Sequence, residues 1–362
     1  GKNENIMNTF ESEFSQYLQI SYHSNPTPIG LSGRVNEHIK FALRTGFDRY
    51  PIADKLIILE DDLQLAPDFL SYFHQTANIL DSDPRIMVVN AYSFSGWQGE
   101  AMNDERLFLA TMYPCYGWMT SRTWRDRMLQ FWPKTIMSNH VDWDWYVRLY
   151  LGFPEGALAV LPEVSRTKHR GGGGGMHVTG WEQTKNLDRH SINDRPNVTL
   201  NLWPVSNGRY EAYLRDTIEE ANLLVITENP CLARYIPKYK VGTFVIYFQM
   251  EGDKDKEKSL HFLHACLNGN ELAPQEHYQL VYTWGYYGNV IYTVACPNSP
   301  YCNISPVDYN RVVYKPNPDD LHTAIKHVRS QRPMPAGTRQ VRVPPQSPEE
   351  EFNLENYYII DN

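Results

Sequence analysis

The chain has 362 residues, of which 42% are apolar and 21% charged, with a formal net charge of −8. This is the composition of a globular protein with room for one large domain and a smaller one. The acidic balance and the lack of any basic block argue against nucleic acid as a partner, and no apolar run reaches the roughly 18 residues that a membrane span requires.

In chain order, Asn8 to Leu18 carries apolar residues at helical spacing, Ile20-Ser21-Tyr22 reads as a short strand, and Pro26-Thr27-Pro28-Ile29-Gly30 as a loop. Glu37 to Thr45 predicts a helix with Ile39, Phe41, Ala42 and Leu43 on or near its inner face. His38 lies on that helix, where it can reach over the next strand's end to a base or serve the fold. Residues 55–59 predict a buried strand, because an apolar run of this kind suits the interior of a sheet. The run ends directly in Glu60-Asp61-Asp62. Three adjacent carboxylates cannot lie in a core, so they belong at the strand's end, where open α/β sheets bind ligands. They repel one another unless a cation sits among them, and Mg²⁺ or Mn²⁺ prefers such oxygen ligands and bridges to phosphate. The alternative is an idle, solvated acidic turn.

Ala66-Pro67-Asp68 opens a helix with Phe69, Leu70, Phe73 and Leu80 inward. Ile86 to Val89 is a second buried strand, ending at Asn90-Ala91-Tyr92. Residues 111–118 are irregular and aromatic. Ser121 caps a helix carrying Trp124, Met128 and Phe131. Trp143 to Leu151 predicts a helix preceded by Asp142. In Asp142-Trp143-Asp144-Trp145 the indoles can shield Asp144 from water and raise its proton affinity, as a general base for a sugar hydroxyl requires; either aspartate equally suits a helix cap. Ala157 to Leu161 is a strand, followed by Pro162 to Thr167. Arg166 and His169 are placed to meet phosphate oxygens when the glycine run from Gly171 to Gly175 closes as a loop.

A helix is predicted from Tyr210 to Leu224, strands at 241–250, 277–284 and 289–296, and a helix from Leu260 to Leu267. Beyond about Arg332 the prolines and acids suggest a tail. The domain organisation expected is a catalytic domain over 1–205, a helical connection over 206–240, a small α/β domain over 241–330 and a tail over 331–362. The cysteines (Cys115, Cys231, Cys266, Cys296, Cys302) show no zinc-type spacing, and Cys296 and Cys302 are close enough for a small-loop disulfide. Two sequons, Asn197-Val198-Thr199 and Asn303-Ile304-Ser305, with these clustered cysteines, lean towards a secretory lumen. The 24 tyrosines and 9 tryptophans suit sugar faces, although ordinary core and surface positions account for most of them.

Taken in order, Glu37 to Leu43, Glu60 to Phe69, Tyr72-Phe73, Gly117-Trp118, Trp132-Pro133-Lys134, Trp143-Asp144 with Arg148, and Pro162 to Thr167 resemble the family of β-1,2-N-acetylglucosaminyltransferases. Asn229-Pro230-Cys231, Cys266-Leu267 and Pro297 to Tyr301 resemble its O-mannose branch in particular. The resemblance covers most of residues 35–315. It implies a GT-A-type fold, a mixed and mostly parallel sheet flanked by helices. It further implies a Mn²⁺-dependent site for UDP-GlcNAc and inverting transfer to a mannose-terminated glycan or an O-mannosyl glycoprotein. Asp62 is then the metal ligand, Asp144 the base with Asp142 as rival, and His38, Glu60, Asp61, Trp118 and Arg166 substrate contacts. Gly175, Met176 and His177 fall where the family closes a loop over the donor, although the polyglycine departs from the family's sequence there. The family's first β-α-β unit, which holds uracil and ribose, has no counterpart before residue 30. The expected location is the Golgi lumen, with any anchor outside this chain, which opens on Gly1. A glycan- or nucleotide-binding module without turnover, and a metal-dependent hydrolase, are the rival readings.

Overall fold

The computed structural model describes residues 4–25, 33–111, 114–130, 132, 143–147, 156–170, 187–230, 235–237, 241–250, 258–268, 276–303 and 314–315. The elements in order are α1 (Glu4–Thr9), continued by a π-turn to Phe14, α2 (Gly33–Arg49), β1 (Lys55–Ile58), β2 (Leu63–Leu65), α3 (Phe69–Thr76), α4 (Ile79–Ser82), β3 (Ile86–Asn90), β4 (Leu107–Ala110), β5 (Trp118–Ser121), α5 (Arg122–Gln130), α6 (Trp143–Val147), β6 (Leu158–Pro162), β7 (Thr167–His169), α7 (Tyr210–Glu220), β8 (Asn222–Leu223), β9 (Thr243–Gln249), α8 (Lys258–Asn268), β10 (Val281–Tyr286) and β11 (Asn289–Cys296).

The main sheet has the order β1-β5-β3-β6-β4. Only β3 and β6 are parallel neighbours; β1–β5, β5–β3 and β6–β4 are antiparallel. The mostly parallel sheet expected from the sequence is therefore corrected. β1, β3 and β6 do run the same way, but β5 is inserted against them between β1 and β3, and β4 closes the far edge. This order gathers the ends of β1, β3 and β6 and the starts of β5 and β4 at one edge of the sheet.

Every described residue of β3, β4, β5 and β6 is buried, so both faces of the sheet are covered. One face packs Met87, Val88, Ala159 and Leu161 against Ile39 and Leu43 of α2 and Trp124 and Met128 of α5. The opposite face packs Val89, Leu109 and Val160 against Phe69 and Phe73 of α3, Leu214 and Ile218 of α7, and Val245, Tyr247, Val290 and Tyr292 of the second sheet. Met87 and Val88, although adjacent, share a face because the β3–β6 register shifts between Ile86 and Val88.

The second sheet has the order β10-β11-β9-β8 and shows period-two patterning. Val245 and Tyr247 face the common core, while Phe244, Ile246 and Phe248 face Leu260 and Leu263 of α8. Gly285 in β10 abuts Glu163, where an added Cβ would come within 2.5 Å of Oε1. Cys296 and Cys302 form the expected disulfide.

Ile20 to Tyr22 is irregular rather than a strand. Leu70, expected to face inward, is 71% exposed, because the buried stripe of α3 is Phe69, Tyr72, Phe73 and Thr76, and Leu80 is buried on the separate α4. The 277–284 strand begins only at Val281, and the 210–224 helix ends at Glu220. No described helix is long and apolar enough to cross a membrane.

Candidate functional site

The acidic turn follows β1 at the edge where the strand ends gather. Directly after it, β2 forms a two-stranded antiparallel ribbon with β7, pairing Leu63 with His169 and Leu65 with Thr167. The ribbon brings residues 167–170 back to the acids. Arg170 N–H donates to the carbonyl of Asp62 (2.8 Å), and His169 Nε2 lies 2.9 Å from Asp62 Oδ2. His169 is thus turned onto a carboxylate instead of towards phosphate.

Each acid has a different setting. Asp61 is exposed. Asp62 is partly exposed and held by His169. Glu60 has its proton affinity raised, first by burial and then by the charge of Asp62, while His169 and, less, the backbone N–H of Tyr116 oppose the shift. Tyr116 has a left-handed backbone, φ +45°, which is strained for a residue with a Cβ. Its carbonyl accepts the Thr167 hydroxyl (2.5 Å), and its ring meets His169 edge-on at 5.7 Å and Tyr92 at 4.8 Å. Gly117 follows at φ +91°, and a Cβ there would stand 3.0 Å from Thr167 Cγ2. The turn into β5 is therefore clamped between the acidic turn and β7.

Trp143, which precedes Asp144, packs at the same edge, on Trp118 at the start of β5. α6 begins where Trp143 N–H donates to Asn36 Oδ1 of α2 (2.9 Å), and the Trp143 ring stacks between Trp118 (5.5 Å) and Trp132 (6.3 Å). Cys115 is buried. Its proton is held by burial first, and then by the negative charges of Glu276, Asp144 and Glu60.

Two expected contacts are corrected. Trp118 is fully buried at the start of β5, flanked by β1 and β3 and covered by Trp143, so it belongs to the core. Arg166 is also fully buried: its guanidinium donates to Asp68 (3.0 Å) and to the carbonyls of Val164 (2.7 Å) and Asp104 (2.5 Å), and none of it faces the acidic turn's solvent. Asp68, at the head of α3, gives its carboxylate to this arginine instead of capping the helix. His38 is exposed on α2, with its Nδ1 3.2 Å from that of His23 and the two rings stacked, so a base would have to displace His23. Asp142, Gly175, Met176 and His177 lie outside the described residues.

Sequence reasoning missed Glu276. It is buried just before β10, where it accepts hydrogen bonds from Phe94 N–H (2.6 Å), Ser95 N–H (3.2 Å) and the Ser95 hydroxyl (2.8 Å), with the Ser93 hydroxyl at 3.5 Å. It fixes the loop after β3 that carries Tyr92 and Phe94 beside Tyr116. Its partners lie more than 180 residues away in sequence, and no local pattern announces them.

A mixed α/β sheet with acids gathered at one edge is compatible with a glycosyltransferase fold. The family model described as the GNT-I family matches residues 30–302, and the chain belongs to that family. It is 29% identical over 193 residues to alpha-1,3-mannosyl-glycoprotein 2-beta-N-acetylglucosaminyltransferase of Arabidopsis thaliana. The match covers 52% of this chain and 40% of that relative.

Proposed function

We propose that the chain is the catalytic part of an inverting glycosyltransferase of GT-A type. It moves N-acetylglucosamine from UDP-GlcNAc to the 2-hydroxyl of a mannose on a glycoprotein glycan, in the Golgi lumen. Family membership and the relative's name support the chemistry. The observation that supports the assignment to residues is that Trp143, the neighbour of Asp144, stacks on Trp118, whose partner across the sheet is Ile58, two residues before Glu60.

The acidic turn suits a hard divalent cation. Its donors are carboxylate oxygens, and the proton affinity of Glu60 is raised by burial and, after that, by the like charge of Asp62, a repulsion that a cation relieves. No group of three or more His, Cys, Asp or Glu side chains forms a cage among the described residues. Asp62 would hold Mn²⁺ at the acidic turn. When bound, the ion neutralises charge growing on the leaving diphosphate. His169 keeps Asp62 in one orientation. Asp144 accepts the proton of the mannose 2-hydroxyl as that oxygen attacks the anomeric carbon on the face opposite UDP. The new C–O bond forms as the bond to UDP breaks, so configuration inverts in one displacement without a covalent enzyme intermediate.

The test is a transfer assay with isotope-labelled UDP-GlcNAc, Mn²⁺ and mannosyl acceptors of the N-glycan and O-mannose types, using the full-length protein. A β-1,2-linked product is expected. UDP binding without product would favour the binding-module reading, and release of free GlcNAc to water would favour hydrolysis.

A further inference from the structure

Two features of the sequence play no part in the transfer chemistry, the Asn197 sequon and the Cys296–Cys302 disulfide, and the structure ties them to one conclusion. Residues 191–201 contain neither helix nor strand, yet they are pinned along their length. Ser191 N–H donates to Gly96 O (2.8 Å), Asn193 N–H to Ser165 O (2.9 Å), and Asn201 N–H to Glu105 O (2.9 Å). Gln75 grips the centre, donating to Val198 O (2.8 Å) and accepting from Leu200 N–H (3.0 Å). The segment is a strap laid across the surface.

Side chains alternate along it. Val198 and Leu200 enter the core shared by the two sheets, at 4% and 6% exposure, whereas Asn197 and Thr199 are exposed. With period-two alternation, Asn197 and Thr199 stand on the same outward face. Asp194, Arg195 and Pro196 before them are exposed as well, so among the described residues no wall closes over the asparagine amide. Val198, between the two, is not the proline that would bar the sequon. The Cys296–Cys302 bond belongs to an oxidising compartment, the setting in which asparagine glycosylation occurs.

We propose that Asn197 is an N-glycosylation site of this protein. The donor class is an oligosaccharide carried on a polyprenyl diphosphate. The Asn197 Nδ2 forms a bond to the anomeric carbon, the bond from that carbon to the diphosphate oxygen breaks, the lipid diphosphate leaves, and one amide proton passes to the base of the oligosaccharide transferase. The glycan projects into solvent from the outward face, while Val198, Leu200 and Gln75 keep the strap in place beneath it. This inference does not depend on the chain's own transferase activity.

The full-length protein, produced in a eukaryotic secretory host, is digested with peptide N-glycosidase in heavy-oxygen water and mapped by mass spectrometry. Heavy aspartate is expected at position 197. Asn197→Gln and Thr199→Ala should each remove one glycan's worth of electrophoretic mass, while Thr199→Ser retains it. Asn303→Gln separates any contribution of the second sequon. Because these positions are exposed, the variants should unfold within a degree or two of the deglycosylated parent, a check that lost glycan is not lost fold. An unmodified Asn197 peptide in the purified wild-type protein overturns the proposal, and so does a mobility shift that survives Asn197→Gln and disappears only with Asn303→Gln.

Discussion

His169 Nε2 lies 2.9 Å from Asp62 Oδ2, held there by the ribbon that pairs Leu63–Leu65 with Thr167–His169. The carboxylate proposed to meet the cation is thus oriented by a residue more than a hundred positions later, and the ribbon makes the two one unit. His169→Ala frees Asp62 to rotate and should weaken Mn²⁺-dependent UDP binding by about 10- to 100-fold, the usual cost of losing an orienting partner. Calorimetry of UDP with and without Mn²⁺ reads this directly. Asp62→Ala should remove the metal dependence altogether, and chelation should make wild type and variant alike.

Asp144→Asn keeps the shape of α6 and removes a proton acceptor. Transfer should fall by about 100- to 10,000-fold, while Mn²⁺–UDP affinity stays within twofold (~0.4 kcal/mol) of the parent. Transfer at the parental rate would assign the proton to another group, and Asp142 is the neighbour to test next.

Arg166 should behave as a structural residue. Arg166→Met leaves Asp68 charged and buried, at a cost of about 3–5 kcal/mol in urea unfolding. Adding Asp68→Leu should recover much of that loss, because the stranded charge is removed with its partner. A selective loss of UDP binding in a fully stable Arg166→Met protein would instead restore the phosphate contact expected from its sequence position.

Glu276 links pH to stability. Burial raises its pKa, against the hydrogen bonds from Phe94, Ser95 and Ser93. The folded value lies above the unfolded one, so folding takes up a proton and the native state gains stability as pH falls from neutrality through the raised pKa. Cys115, the titratable neighbour, remains a thiol throughout, since burial and the nearby carboxylates hold its proton. Glu276→Gln should cost about 1–3 kcal/mol, because one amide edge cannot accept the loop's N–H groups. The gap between wild type and variant should widen in favour of wild type as the solution is acidified. A gap that narrows on acidification in paired thermal melts would contradict the sign.

The parts of this molecule legible in the sequence are those whose physics is local. β1 was readable as a strand running into acids, because an apolar run and a carboxylate cluster are reconciled at a strand's end, but the buried strand expected over 55–59 is corrected: β1 lies at the sheet's edge, Leu56 and Ile57 are only half-buried, and Leu59 is exposed beyond its end. The Ser121 cap was readable for the same reason: Trp124 N–H lies 3.4 Å from its hydroxyl, within one turn. The Cys296–Cys302 loop was short enough to close. What escaped was long-range. Arg166 looks like a surface cation until Asp68, 98 residues away, is placed beside it. Trp118 looks like a substrate contact until β5 is seen between β1 and β3 with Trp143 over it. The antiparallel insertion of β5 leaves no trace in hydropathy, and β4 went unread because Leu107-Phe108-Leu109-Ala110 carries no alternation to distinguish strand from helix.

The contact of Val245, Tyr247, Val290 and Tyr292 with Val89, Leu109 and Val160 also bears on how the polypeptide can be dissected. A fragment ending near position 240 would leave that apolar layer wet, with each large side chain forfeiting about 1.5–3 kcal/mol. It would also strip away the carboxylate that moors Phe94 and Ser95. Such a truncation should come out of cells aggregated, whereas cutting behind Tyr314 spares both.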